Sequence, residues 1–161
     1  VTERLDLPDT EWRGVSRKYV VVEVVGLIIF GLITTAATSI PTFVTSISWL
    51  AAIPISLAII FLINILLTPR RVRAIGYMLR ADDLVFRRGL MFRRVVAVPY
   101  GRMQLVDINR GPLDRAVGLS ELKFVTAAAS TGVVIPGLPE QDAEELRDTL
   151  VALAESRRAG L

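Results

Sequence analysis

The chain of 161 residues carries 19 Lys and Arg against 16 Asp and Glu, a formal net charge of +3, with no histidine and no cysteine. That composition excludes disulfide frameworks and thiolate chemistry, and it removes the commonest general base and metal ligand. An apolar content of 52% and a mean hydropathy of +0.51 point instead to membrane segments joined to one domain of modest size.

Residues 1–18 form a polar arm of mixed sign, in which Pro8, Asp9 and Thr10 predict a turn or an extended segment. Trp12 is expected at headgroup level or in loose contact with the following domain. Residues 24–69 then contain no charged side chain. A spanning helix needs roughly 20 apolar residues to cross about 30 Å of hydrocarbon, so this run suits two helices. Lipid leaves backbone amides no other economical form. We place the helices near 19–38 and 49–67, with the break at Ser39, Ile40, Pro41 and Thr42, so that 19–69 is a two-span hairpin. A soluble buried pair would need more apolar sequence to wrap it than the chain has. A signal peptide over the first helix is opposed by Glu23 and by the second span.

Arg17, Lys18, Arg70, Arg71 and Arg73 flank one end of the hairpin, and the connecting loop has no basic residue. The positive-inside rule therefore predicts both termini on the cytoplasmic side of the membrane and the Pro41 loop outward. Glu23 is expected to snorkel toward Lys18 or Arg70, and Asn64 to hydrogen-bond across the hairpin. Pro54 falls in the first turns of the second helix, where a missing amide costs little.

Residues 70–161 change period. Ile75, Tyr77 and Leu79 alternate with Gly76, Met78 and Arg80 as a half-buried strand. Ala81, Asp82 and Asp83 turn into a strand ending at Arg87 and Arg88, and Gly89 turns into a third over 93–98. Further strands are predicted over 103–109 and 119–127 and from Val133, with 111–115 a loop and Pro136 to Pro139 closing the sheet. Val106 and Ile108 share one face, with Asp107 solvated opposite. Residues 140–158 are the clearest helix: Ala143, Leu146, Leu150, Leu153 and Ala154 form one stripe behind an acidic first turn. Such a helix caps the open side of a small barrel.

The segments FRRGLMFRR, VPYGRMQLVDINRGPLDRAVGLSEL and VVIPGLPEQDAEELRDTL, with the paired helices before them, resemble the bacterial pleckstrin-homology-like membrane protein family, in its small two-span YdbS-like form. The resemblance implies a membrane hairpin followed by a mainly β domain, a PH-like split barrel of about seven strands capped by a C-terminal helix. It also implies a non-catalytic domain at the inner face of the bacterial cytoplasmic (inner) membrane. Phosphoinositide-binding PH domains place basic residues on the first two strands and their joining loop. Here the loop of Ala81, Asp82 and Asp83 is acidic, so that function is not carried over.

No constellation supports catalysis, and no cofactor or metal spacing is present. Asp82 and Asp83 are explained by turn chemistry. The positive signal is basic: Arg87, Arg88, Arg93 and Arg94 flank a turn with Leu90, Met91 and Phe92 at its tip, and Arg70, Arg71 and Arg73 lie at the membrane exit. These seven arginines are the candidate site for anionic lipid headgroups or a protein partner, a second copy included. Nucleic acid is not expected, because aromatics are not interleaved with the basic residues. The expected function is a membrane-tethered binding or scaffold module. The alternative is an accessory subunit of a larger membrane complex, recognised through its hairpin.

Overall fold

The computed structural model describes residues 12–45, 47–90, 92–126 and 132–159. The chain opens with β1 (Arg13–Gly14) and enters α1 (Lys18–Thr45). A single 3-10 turn, Ser48–Ala51, leads into α2 (Ala52–Arg73). Then follow β2 (Gly76–Leu79), β3 (Asp83–Arg88), β4 (Arg94–Pro99), a short 3-10 turn, β5 (Met103–Asn109), α3 (Pro112–Val117), β6 (Leu119–Thr126), β7 (Val133–Pro139) and α4 (Glu140–Ala159).

The two apolar helices form the expected hairpin, with its reversal displaced. The break predicted at Ser39 to Thr42 is helical, and Pro41 lies inside α1. Thr38 and Ser39 donate their hydroxyls to carbonyls of the preceding turn, as does Thr45 to Pro41. Hydroxyls satisfied in this way are compatible with a helix in lipid. The second helix continues through Pro69 to Arg73, so Arg70, Arg71 and Arg73 form its last turn. At 1.5 Å per residue, α1 with its 28 residues is about 42 Å long. Its uncharged part from Val24 onward matches the hydrocarbon thickness, and Glu23 falls at the boundary. The helices meet where Gly31 receives the Phe61 ring, which also makes an edge contact to Phe30 at a centroid distance of 5.9 Å.

Among the described residues, seven strands form two antiparallel sheets, β1-β2-β3-β4 and β5-β6-β7, closed by α4. Leu84, Tyr100, Leu122, Phe124, Ile135 and Leu150 are all within 1% of full burial and make the centre of the core. The stripe predicted on α4 faces that core, with Ala143, Leu146, Leu150 and Ala154 buried and Leu153 packed against it. Val106 and Ile108 also pack on the core while Asp107 is exposed. The Tyr100 hydroxyl donates to the Arg80 carbonyl at 2.8 Å, and burial raises its pKa, so it stays a neutral donor.

Four expectations change. β2 is buried on both faces, because Met78 pairs with Val85 on the face opposite Tyr77 and both are covered. Residues 111–115 are not a loop: Pro112 at the first helical position starts α3, and Gly118 ends it in a left-handed conformation. Pro136 and Gly137 do not end the sheet. They form a bulge in β7, since Ser120 pairs with Leu138 but Leu122 with Ile135, and the strand continues to Pro139. The N-terminal arm supplies β1, with Arg13 opposite Tyr77 and Gly14 opposite Gly76. The membrane hairpin is therefore an insertion between the first and second strands of the sheet. The acidic turn of Ala81, Asp82 and Asp83 is the second connection of that sheet, not the first.

Candidate functional site

Strand register decides which end of the barrel faces the hairpin. β2 begins at Gly76, just after the end of α2, and Gly76 pairs with Arg87 of β3. One residue on, Arg88 pairs with Arg94 of β4. The β3–β4 turn therefore lies at the hairpin end of the sheet, and the acidic β2–β3 turn at the far end. Arg88 is close enough to Tyr19, in the first turn of α1, to act on it electrostatically. With Arg13, Arg17, Lys18, Arg70, Arg71 and Arg73, the turn completes a basic collar around the helix ends.

The four turn arginines have different surroundings. The Arg87 guanidinium lies 4.3 Å above the Trp12 ring, a cation–π contact that fastens the arm to β3. The expected contact of Trp12 with the domain is thus realised through an arginine. Arg88 and Arg94 stand opposite each other and continue the core-facing rows of Leu84 with Phe86 and of Val98 with Val96. Together with Phe92, Val96 and Val133 they line a cavity of about 390 Å³ at the barrel mouth. Like charges directly opposed across a ladder are destabilising unless an anion lies between them. Among the described residues, no carboxylate forms an ion pair with Arg88, Arg93 or Arg94. Phe92 is 88% exposed and Leu90 45%. Met91 lies outside the described residues.

The remaining candidates are placed as follows. Arg70, Arg71 and Arg73 are exposed on the last turn of α2. Arg71 donates to the Asn64 side chain at 3.4 Å, and Asn64 donates to the Ile60 carbonyl of its own helix. The expected bond from Asn64 across the hairpin is therefore replaced by bonds within α2. Glu23 does not reach Lys18 or Arg70. It accepts from the Tyr19 hydroxyl, one turn earlier on the same face of α1, which satisfies it locally. Glu23 also lines a cavity of about 370 Å³ with Asp114, Glu121 and Gly137. At the start of α4, Glu140 and Glu144 are paired with Arg110 of the same chain, so half of the acidic patch over 140–145 is already engaged.

The sequence marks Arg17 and Trp12 only as residues flanking the membrane, not as parts of a site, and it does not show the opposition of Arg88 to Arg94. The last was open to inference from a tight turn between the two strands, because alternation then puts both on the Phe86 face.

A family model described as Bacterial PH domain matches residues 19–154 of the chain. Among curated proteins, the chain is similar to UPF0699 transmembrane protein YdbS of Bacillus subtilis (strain 168), at 35% identity over 78 residues. That alignment covers 48% of this chain and 48% of the relative, about half the length of each. No solved structure matches.

Proposed function

The chain belongs to the bacterial PH domain family, and from that premise we propose that it is a non-catalytic binding module tethered in the cytoplasmic membrane, its barrel held against the anionic inner leaflet by the β3–β4 turn. The observation that supports this is the register of Gly76 with Arg87 and of Arg88 with Arg94, which turns the basic tip toward the hairpin end. An arginine near an anionic leaflet gains on the order of 1 kcal/mol. Arg88, Arg93 and Arg94 have no ion pair among the described residues to give up, and Phe92 offers an exposed ring to the interface. The two-residue link between α2 and β2 keeps patch and surface at high effective concentration, so weak contacts are populated. The basic collar against an uncharged far loop orients both termini to the cytoplasm.

The absence of native cysteine makes single-cysteine variants informative. With an impermeant thiol reagent on intact cells, Ile47→Cys should label and Phe92→Cys should not. Labelling of Phe92→Cys without permeabilisation would reverse the orientation.

The lipid contact is read on the same Phe92→Cys protein, carrying an environment-sensitive fluorophore, in nanodiscs. Emission should shift to the blue in phosphatidylglycerol relative to phosphatidylcholine. The shift should vanish in about 1 M salt, where the Debye length is about 3 Å, and in a variant with Arg88, Arg93 and Arg94 changed to Ser. Equal emission in the two lipids would eliminate the leaflet contact and leave a protein partner for the turn.

A further inference from the structure

A second basic feature lies between the ends of the two helices. A groove of about 450 Å³ runs between Val20 and Val21 of the first turn of α1 and Pro69 of α2, with Val15 of the arm also lining it. Arg17, just before α1, and Arg73, the last residue of α2, complete the lining, and both are exposed. Among the described residues neither has a carboxylate partner. None of Arg88, Arg93 or Arg94 lines this groove.

We infer that the groove holds one anionic glycerophospholipid, its phosphate between Arg17 and Arg73 and the start of an acyl chain along Val20, Val21 and Pro69. Depth supports this. The uncharged run ends at Pro69, which sets that residue at the hydrocarbon boundary. Arg73 lies four residues further, about 6 Å along the helix, in the headgroup layer. The apolar part of the groove is thus at the hydrocarbon boundary, with Val20 and Val21 about 3–5 Å to its headgroup side, where the ester-linked start of an acyl chain lies, and the basic part is at phosphate depth. Guanidinium is the side chain best suited to hold phosphate through paired hydrogen bonds. The volume is that of a small-ligand site, enough for a phosphate, a glycerol and the first methylenes. The inference is independent of the β3–β4 turn, since it concerns two different arginines and a lipid retained rather than a surface touched.

The test uses the full chain, delipidated in neutral detergent, offered phosphatidylglycerol or phosphatidylcholine at equal concentration and counted by native mass spectrometry. One phosphatidylglycerol per chain should be retained, with phosphatidylcholine weaker by about tenfold or more. Changing Arg17→Gln and Arg73→Gln together should cut phosphatidylglycerol retention by about tenfold, two charge-assisted contacts being lost. Val21→Trp, which keeps both arginines and fills the groove, should reduce it as well. Changing Arg88, Arg93 and Arg94 to Ser should leave it as in wild type, even if the leaflet contact of the turn is abolished. Equal retention of the two lipids would overturn the inference. So would wild-type retention in the Arg17 and Arg73 double variant or in Val21→Trp, or displacement of the lipid by inorganic phosphate alone.

Discussion

Gly137→Ala is expected to destabilise the barrel by about 3 kcal/mol and to loosen it from α1. Gly137 sits at φ 66 in the β7 bulge, a left-handed conformation that costs a residue with a Cβ about 1–2 kcal/mol. A Cβ there would lie 2.5 Å from Cγ and 2.6 Å from Cβ of Tyr19. Those atoms are the root of the tyrosine side chain, so the helix itself would have to move, and such overpacking costs about 1–3 kcal/mol. Together the two effects remove a large part of a stability that rarely exceeds about 15 kcal/mol. The Ser16 amide, which donates to the Gly137 carbonyl at 2.9 Å, reports the loosening directly. Its hydrogen exchange should rise in the variant along with the loss of global stability. A double-mutant cycle with Tyr19→Gly should recover the steric part and leave about 1 kcal/mol from φ. Wild-type protection of Ser16 in Gly137→Ala would refute the idea that this contact joins barrel and hairpin.

Gly89→Ala should abolish the present β3–β4 turn. Gly89 has φ 116, and its added Cβ would fall 2.0 Å from the Phe92 carbonyl oxygen. No rotamer change relieves a collision between two backbone-fixed atoms, so the turn must refold and the pairing of Arg88 with Arg94 must slip or open. We expect a loss of about 2 kcal/mol and markedly faster tryptic cleavage after Arg93, read by mass spectrometry of the digest. Gly89→Asn separates the two causes. Asparagine tolerates positive φ better than alanine, but its Cβ meets the same oxygen, so it should be no better than Ala. Recovery with Asn would mean that φ alone, and not the close approach, holds the turn.

The parts of this fold that were legible in the sequence are those written as periodicity. The α4 stripe, Val106 and Ile108 on β5, and the uncharged run of two spans each follow from side chains choosing a solvent, and the structure places them so. The reversal of the hairpin was misplaced because Pro41 and its neighbouring hydroxyls signal a turn in water. In an apolar helix Thr38, Ser39 and Thr45 bond their hydroxyls back to carbonyls of the previous turn. β1 was illegible, since two residues carry no period and their partner lies beyond the hairpin. The basic turn could be seen as a cluster, but its position at the hairpin end needed the register. The Arg17–Arg73 groove joins residues 56 positions apart, counting 73 − 17, and only the packing of the helix ends brings them to one site.

The insertion of the hairpin between β1 and β2 has a consequence for biosynthesis. Arg13 and Tyr77 pair across 77 − 13 = 64 positions. Closing a free loop of that length costs roughly 4 kcal/mol of chain entropy, more than a two-residue strand returns. An assembled hairpin removes most of that cost by delivering its two ends side by side, leaving only Val15, Ser16 and Arg17 on one strand and Ala74 and Ile75 on the other to be ordered. The arm must therefore wait, unpaired, while the ribosome makes the spans and the insertion machinery threads them. The sheet gains its first strand only once the bilayer has acted as a template for closure. A lesion confined to the spans would then surface as a folding defect on the aqueous side, with residues that never enter lipid the first to lose protection.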